Sequence, residues 1–485
     1  MMMTTVLTAL NCRAQILYAD FSDPDVCEGT EDDYWLTASS FQCSPGLPVL
    51  HSTDLERWTL VNYALPRLKP YEHYDTLHHG CGVWAPSIRR HGDTYYIYYG
   101  DPDYGVYMVK TQNPAGRWDE PVLVLPGKGV IDTCPLWDDD GRVYLVNAWA
   151  NSRCGFNSVL TVRELSADGT RAIGQPVMVY DGQPDGNHTI EGPKLYKKDG
   201  YYYILAPAGG VAGGWQVALR SRNIYGPYEM KTVYNQPGIH QGGWVNNAFI
   251  CFQEVGAYGR ILHRLDVSWK DGWPMMSRHK ASKVHKIQCH DKAMLYQWHA
   301  NYQDTFGFRT ANGVRVYGHR VGMPAGKQTI WDVPNLYLKK FDGETFNDTL
   351  RTTITAKAEG QQSGFVIMGR DYLRLAVELH DGKFVVKEMR NTGADKGGAE
   401  TTTILQTIAA RNYGAGANPN YECSVTFAIE CRPGALCNIA YSTDGKTFTQ
   451  LPGQFKAREG VWIGAKYGVY SITPVASRGW IDLML

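Results

Sequence analysis

Short stretches in which apolar and polar residues alternate recur along the first 276 residues of the chain. Each unit begins with a turn that contains Asp, Asn or Gly, continues as a Tyr-rich strand and a second strand, and often ends at a Trp-containing or Gly-Pro turn. The five units begin at Asp33, Asp93, Asp140, Asp199 and, more weakly, Asn247. Helical periodicity is nearly absent from this region.

Repeating units of about 50 residues, each with several short strands, are typical of propeller blades. One blade cannot bury both of its faces alone, whereas five blades around an axis can do so and leave a central funnel. The pattern therefore predicts an all-β fold with a five-bladed β-propeller over residues 16–276. A β-sandwich with accidental internal similarity is the alternative.

The pattern changes after residue 276. Residues 277–286 are polar and basic, and they begin a predicted linker over residues 277–300. Beyond it, short alternating runs are joined by Asp-Gly pairs at residues 381–382 and 444–445. Asp-Gly between alternating runs is a hairpin signal. Residues 301–485 are therefore predicted to form a second all-β domain, a β-sandwich.

Charge and composition narrow the classes of partner. Lys plus Arg and Asp plus Glu each total 48, so no basic excess points to nucleic acid or to an anionic membrane. No apolar stretch is long enough to span a bilayer. The 31 Tyr and 51 Gly suit short strands and tight turns, and aromatic faces also stack on sugar rings. An oligosaccharide is the expected partner, and the oligomeric state is left open.

The cysteines and the N-terminus bear on the compartment. Eleven Cys without framework spacing or a C-x-x-C pair argue against a disulfide scaffold and against a structural zinc site, although Cys27 with Cys43, or Cys423 with Cys431, could pair. Residues 1–15 could be the remnant of a secretory signal cut near Ala14, although they lack a basic n-region. The expected location is periplasmic or secreted, with the cytoplasm as the alternative.

Candidate chemistry comes from the strand that precedes each turn, because the innermost strand of a blade lines the axis. The five positions in the same phase are Asp23, Trp84, Asp132, Glu191 and His240. Three carboxylates in a narrow funnel push their pKa values apart, so that one can act as an acid and another as a base. Glycosidic bonds need that pairing, and carboxylates roughly 6.5–9.5 Å apart invert the anomeric centre.

Each of these residues also has an ordinary structural role open to it. Asp23 and Asp132 could be turn formers, Trp84 a core residue and His240 a structural histidine. A glutamate next to a Tyr-rich strand, as at Glu191, is harder to explain without a function. The shared phase across five units favours the functional interpretation.

At these residues the chain resembles glycoside hydrolase family 43, strongly over the propeller and weakly over the tail. Residues 21–26 resemble the motif whose aspartate, here Asp23, is the general base. Residues 131–132 and 138–141 resemble the segment whose aspartate, here Asp132, tunes the acid and orients the substrate. Residues 191–196 resemble the general-acid motif and are the most specific of the three.

The resemblance also implies roles for substrate-binding residues. Phe41 and Trp84 would form the pocket wall, and Arg260 would contact substrate hydroxyls. His240 matches a central histidine that in some members helps to hold a calcium ion or a water beneath the sugar. The tail resembles the sandwich of xylosidase-type members, which can close one side of the pocket. Val211 departs from the pattern, because many xylosidases have a Thr in the corresponding run, and residues 133–135 are altered as well.

The resemblance implies an exo-acting, inverting hydrolase that releases xylose or L-arabinofuranose from fragments of xylan, arabinoxylan, arabinan or xyloglucan. It implies no required cofactor, with a structural calcium near His240 as an open possibility. An endo-arabinanase on the same propeller and a non-catalytic glycan-binding propeller are the alternatives.

Overall fold

Nearly all regular structure in the chain is antiparallel β-sheet. The computed structural model describes residues 14–321, 329–413 and 419–485. Apart from Ala14 and Gln15, the predicted signal remnant lies outside these residues. None of the helices in the described ranges combines the length and the apolar character needed to cross a membrane.

Residues 15–278 form five sheets with about four strands each. Their strands are β1 (Gln15–Leu17), β2 (Asp25–Glu28), β3 (Tyr34–Thr37), β4 (Gly46–Ser52), β5 (Thr59–Leu65), β6 (Trp84–His91), β7 (Thr94–Asp101), β8 (Gly105–Thr111), β9 (Val122–Pro126), β10 (Val130–Trp137), β11 (Val143–Trp149), β12 (Val159–Leu165), β13 (Val177–Asp181), β14 (Lys194–Lys198), β15 (Tyr201–Ala208), β16 (Trp215–Ser221), β17 (Glu229–Tyr234), β18 (Ile239–Val245), β19 (Ala248–Glu254), β20 (Arg260–Lys270) and β21 (Trp273–Arg278).

The first four blades are β2–β5, β6–β9, β10–β13 and β14–β17, each in sequential order. The fifth blade has β18, β19 and β20, with both β21 and the N-terminal β1 paired to β20. Strand β1 closes the ring, since Gln15 pairs with His263 and Leu17 with Leu262.

The middle strands of the blades are covered on both faces. In β11, six consecutive residues from Val143 to Ala148 are buried, which reflects neighbouring blades packed against each side. A strand covered on both faces needs an apolar run and not a strict alternation.

The remaining strands form a two-sheet sandwich. They are β22 (Tyr296–Trp298), β23 (Gly307–Thr310), β24 (Gly313–Tyr317), β25 (His319–Arg320), β26 (Tyr337–Lys340), β27 (Phe346–Ala356), β28 (Gln362–Met368), β29 (Tyr372–His380), β30 (Lys383–Asn391), β31 (Glu400–Ile408), β32 (Arg411–Asn412), β33 (Tyr421–Arg432), β34 (Leu436–Ser442), β35 (Thr449–Gln450), β36 (Phe455–Lys456), β37 (Lys466–Thr473) and β38 (Trp480–Met484).

One sheet has the order β22-β26-β37-β28-β29-β30-β31, and the other has the order β23-β24-β38-β27-β33-β34-β35. Their inner faces share one apolar core that includes Phe365, Phe427 and Tyr467. Helices are short: α1 (Tyr71–Tyr74), α2 (Asn151–Cys154) and the 3₁₀ turns Gly256–Tyr258, Lys292–Leu295, Ile330–Asp332 and Ala394–Lys396. The predicted fold, a five-bladed propeller followed by a β-sandwich, is confirmed.

The segment predicted as a linker is ordered against the propeller. The N–H of His285 donates to the carbonyl of Ile16, and the N–H of Gln288 donates to the carbonyl of Trp58. Strand β21 ends at Arg278 and strand β22 begins at Tyr296, so the connection between these strands is shorter than residues 277–300.

The cysteines in the described ranges are all free thiols. Neither Cys27 with Cys43 nor Cys423 with Cys431 forms a disulfide.

Candidate active site

The innermost strands β2, β6, β10, β14 and β18 surround the propeller axis, and a pocket of about 300 Å³ opens at one end of it. Several predicted residues line this pocket together with others that the sequence did not single out. The lining residues are Asp23, Phe41, Trp84, Ala85, Ile131, Asp132, Trp149, Ala150, Asn151, Ser152, Asn157, Glu191, Val211, Gln241, Arg260 and Trp462. The three predicted carboxylates therefore meet in one pocket.

A left-handed residue stands at the pocket end of each innermost strand. The five residues with positive φ are Asp23 (52°), Ala85 (30°), Asp132 (56°), Gly192 (55°) and Gln241 (54°). In β6, β10 and β18 the register shifts at this point, as in a β-bulge. A bulge aims two consecutive side chains in one direction, and strained non-glycine backbone is concentrated at functional sites.

The positions of these left-handed residues correct the alignment of the five units by one residue. Asp23 and Asp132 occupy the left-handed position itself, whereas Trp84, Glu191 and His240 directly precede it. The sequence predicts one shared position for all five residues, but the structure shows two. Asp23 and Asp132 share one position, and the other three share the position before it. In the second, third and fifth blades, the register shift lets neighbouring positions face the same end of the axis.

Asp23 is held from two sides. Arg260 Nη1 donates to both of its carboxylate oxygens, at 2.8 Å to Oδ1 and 3.0 Å to Oδ2. Ser39 Oγ donates to Oδ2 at 2.6 Å and itself accepts the N–H of Ala85 at 2.8 Å. Asp23 and Arg260 are each only 5% exposed, so the pair is shielded from water. This geometry fixes one carboxylate as an acceptor inside the pocket.

Asp132 and Glu191 form the second part of the site. The N–H of Gly192 donates to Asp132 Oδ2 at 2.8 Å, which ties Asp132 to the residue that follows Glu191. Burial first, and then the charge of Asp23, raise the pKa of Asp132 to about 7. Burial first, and then the charges of Asp132 and Asp23, raise the pKa of Glu191 to about 8. The two groups titrate as a coupled pair, and a proton on Glu191 is favoured at neutral pH.

His240 lies behind the pocket and does not line it. Its Nε2 donates to the carbonyl of Val211 at 3.1 Å, and burial lowers its pKa to about 4. The imidazole is therefore neutral and supports the backbone of a lining residue. Val211, the departure from the family pattern, does face the pocket.

One nitrogen of His240 is available as a metal ligand. Its Nδ1 is buried without a partner, but Ca²⁺ takes about six to eight oxygen ligands. In the described ranges, the one group of three His, Cys, Asp or Glu ligands close enough to share an ion is Glu359, His380 and Asp381, which is exposed on the sandwich. Calcium near His240 stays a prediction, which metal analysis of the purified protein would test, and the chemistry below does not depend on it.

Phe41 and Trp84 form one wall of the pocket. Phe41 is 3% exposed and has a left-handed backbone, with φ of 51°. Trp84 Nε1 donates to the carbonyl of Gly80 at 2.8 Å, which fixes the plane of the indole.

The pocket also receives a residue from the sandwich. Trp462 has a φ of 63° and is 48% exposed. The ring centroid of Trp462 lies 6.3 Å from that of Trp84. The guanidinium carbon of Arg260 lies 5.7 Å from the centroid of the Trp462 ring. Sequence reasoning missed Trp462, because nothing in its neighbourhood repeats a propeller motif.

Trp149 and Asn157 were missed for a different reason. Trp149 ends β11 and Asn157 follows α2, so both lie in the second connection of a blade and not next to an innermost strand. The Trp149 ring lies 5.1 Å from that of Phe156, which is 45% exposed at the rim.

Polar contacts fill the axis below the pocket. Lys194 is buried, and its Nζ donates to the carbonyl of Pro86 and to Ser87 Oγ, both at 2.8 Å. One layer further along the strands, Arg89 Nη1 lies 2.5 Å from Asp25 Oδ2. Because these contacts join different blades across the axis, the pocket is closed at its base.

Comparisons with known proteins agree with this architecture. The family model described as glycosyl hydrolases family 43 matches residues 13–274. The model described as the beta xylosidase C-terminal concanavalin A-like domain matches residues 291–484. The chain belongs to glycosyl hydrolase family 43.

Among curated relatives, a putative beta-xylosidase of Xylanibacter ruminicola is 37% identical over 265 residues, which cover 53% of this chain and 49% of that protein. The chain thus spans about half the length of this relative. A beta-xylosidase of Formosa agariphila is 24% identical over 96% of this chain and 88% of that protein. A xylan beta-1,4-xylosidase structure from Bacillus halodurans matches with a TM-score of 0.78 at 20% identity, over 98% of this chain and 100% of that one.

Proposed function

We propose that this protein is an exo-acting, inverting glycoside hydrolase that releases xylose or L-arabinofuranose from hemicellulose oligosaccharides. The observation that carries the proposal is the meeting of Asp23, Asp132 and Glu191, from three separate blades, in one pocket with Arg260. The names of the relatives, beta-xylosidase and non-reducing end alpha-L-arabinofuranosidase, support this substrate class.

The proposed chemistry is a single displacement. Asp23 takes a proton from the attacking water as the water oxygen bonds to the anomeric carbon, and Glu191 gives its proton to the leaving glycosidic oxygen. A pKa of about 8 keeps Glu191 protonated at neutral pH, so it can act as the acid. Asp132 contributes by raising that pKa and by holding the backbone next to Glu191.

The shape of the pocket supports exo action. The hydrogen bond from Lys194 to Ser87 crosses the axis below the pocket, and Trp462 lines one side of the pocket. A small blind pocket accepts the end of a chain more readily than its middle. This observation disfavours the endo-arabinanase alternative, and the three carboxylates disfavour a propeller that only binds glycans.

One assay panel separates these functions. Nitrophenyl xylosides and arabinofuranosides are tested beside polymeric xylan and arabinan, and the anomer of the first product is followed by NMR. We expect hydrolysis of the aryl glycosides with inversion. Activity on polymer alone would indicate the endo enzyme, and sugar binding without turnover would indicate a binding module.

Two variants test the assigned roles. Glu191→Ala should lose more activity on aryl xylosides with poor leaving groups than on those with good ones, because only poor leaving groups need the proton. Asp23→Asn should abolish turnover of every substrate. The exposed Glu254 in β19 offers a control, since Glu254→Ala should change neither measurement. A loss in Glu191→Ala that is independent of the leaving group contradicts the acid assignment.

The compartment is a separate prediction. Export to the periplasm or the medium is tested by fractionating cells that express the full chain and locating its activity. Activity confined to the cytoplasmic fraction contradicts it.

A further inference from the structure

A single buried carboxylate joins the propeller to the sandwich directly behind the pocket. Asp20 lies between β1 and β2 and is 5% exposed. Its Oδ1 accepts from Ser22 Oγ at 3.0 Å and from the N–H of Arg260 at 2.9 Å. Its Oδ2 accepts the N–H of Gly464, in the sandwich, at 2.9 Å. Each domain therefore occupies one oxygen of the same side chain.

The sandwich holds Asp20 a second time through its main chain. Lys340 Nζ, at the end of β26, donates to the carbonyl oxygen of Asp20. The same ammonium lies 4.0 Å from the ring centroid of Phe21. Hydrogen bonds that involve a charged group are roughly twice as strong as neutral ones, so this junction is firmly fixed.

The groups that Asp20 holds lead directly into the pocket. Arg260, held at its N–H, donates from its guanidinium to Asp23. Gly464, held by the other oxygen, closely follows Trp462, which lines the pocket. Asp20 therefore binds both the residue that holds Asp23 and a loop residue two positions from Trp462.

Two glycines allow the close approach that this junction needs. A Cβ at Gly259, where φ is +74°, would lie 2.4 Å from Cγ of Asp20. A Cβ at Gly464 would lie 2.8 Å from the nitrogen of Gly259. A side chain at Gly259 would displace the carboxylate of Asp20, and one at Gly464 would push the sandwich away from the propeller at this point.

We propose that Asp20 is a positioning residue that couples the docking of the sandwich to the placement of Asp23, through Arg260, and of Trp462, through Gly464. It does not line the pocket, and it acts only through these residues. The predicted loss of activity rests on the proposed function, whereas the predicted loosening of the loop around Gly464 does not.

Asp20→Asn tests the coupling with little change in volume. The amide has one acceptor oxygen, so its NH₂ group must face either the N–H of Arg260 or the N–H of Gly464. We expect kcat/KM on an aryl xyloside to fall roughly ten- to hundredfold, because small misplacements of catalytic groups cost that much. We also expect faster amide hydrogen exchange in peptides that cover residues 457–465 and 258–262.

A matched control is Asp348→Asn. Asp348 is a partly buried carboxylate of the sandwich that pairs with Lys339 at 2.5 Å and accepts from Tyr467 at 2.9 Å, without a bond to the pocket. It should lower thermal stability without changing kinetics at equal folded fraction. If Asp20→Asn does not fold, Lys340→Met, which leaves the carboxylate intact, is measured in its place, with a smaller loss expected.

A double-mutant cycle with Trp462→Ala separates coupling from general damage. We expect Asp20→Asn to raise KM in the wild-type background but not in Trp462→Ala, while its effect on kcat through Arg260 persists in both. The proposal would be overturned if the kinetic effects of Asp20→Asn and Trp462→Ala simply multiply in the double variant and amide hydrogen exchange at residues 457–465 is unchanged. If the wild type cleaves no glycoside, the proposed function fails, and the exchange measurement still decides whether Asp20 holds the loop.

Discussion

The raised pKa of Glu191 gives the sharpest test of the site, through the substitution Asp132→Asn. The amide keeps an acceptor oxygen for the N–H of Gly192, which lies 2.8 Å from Asp132 Oδ2 in the wild type. The substitution therefore removes a charge while the local geometry can persist. The proton affinity of Glu191 should fall.

The size of the effect follows from the causes of the shift. The pKa of Glu191 rises from 4.5 to about 8, with burial as the largest cause, the charge of Asp132 second and that of Asp23 third. Since Asp132 ranks below burial, removing its charge leaves the largest cause of the rise in place. We expect the basic limb of the pH profile to move down by about one unit, which corresponds to about 1.4 kcal/mol.

The assay is the pH dependence of kcat/KM on an aryl xyloside with a poor leaving group, where protonation by Glu191 limits the rate. Asp101→Asn is a suitable control, because burial also raises the pKa of Asp101 to about 7 and this residue does not line the pocket. Its basic limb should match that of the wild type. A basic limb that stays in place in Asp132→Asn would refute the assignment of Asp132 as the group that tunes the acid.

Other predictions concern stability and specificity. The folded-state pKa of Glu191 lies above its unfolded value, so the folded protein loses stability as pH rises from 4.5 to about 8. Glu191→Gln should therefore raise Tm at pH 8 and leave it unchanged near pH 4. A variant whose Tm equals that of the wild type at both pH values would contradict this. Trp462→Ala should raise KM for aryl xylosides and increase the fraction of polymer cleaved internally, as product chromatography would show, whereas unchanged products would exclude Trp462 from the pocket wall. Gly243→Ala would place a Cβ 2.3 Å from Asp25 Oδ1 and should cost about 2 kcal/mol or more in urea unfolding, whereas Gly213→Ala, with no atom within 4 Å, should cost less than half as much.

The sequence sufficed for the parts of the molecule that repeat. Five copies of a strand-turn-strand pattern predicted the propeller, and their common phase identified Asp23, Asp132 and Glu191. It could not place these residues to within one position, because the left-handed residue at the end of each innermost strand is not of a fixed type. Asp23 and Asp132 stand at the left-handed position, and in the fourth blade Gly192 stands there and not Glu191.

What the sequence missed depends on contacts between distant segments. Trp462 reaches the pocket only because the sandwich docks against the first blade, and Asp20 resembles a turn residue until its partner Gly464 is known. His240 was predicted at the substrate, but its hydrogen bond to Val211 places it one layer behind. Local patterns carry no information on such docking.

The closure of the ring by β1 has a consequence for biogenesis. Gln15 pairs with His263, so the propeller stays an open arc until nearly all of its sequence has been synthesised. Contacts between such distant segments form late, because chain entropy opposes them. Until β1 docks, part of the outer edge of the newly made β20 is unpaired, and an unpaired edge can recruit a strand from another nascent chain. A bulky fusion placed directly before Gln15 should therefore favour strand-exchanged oligomers, visible by size-exclusion chromatography, over a merely less stable monomer.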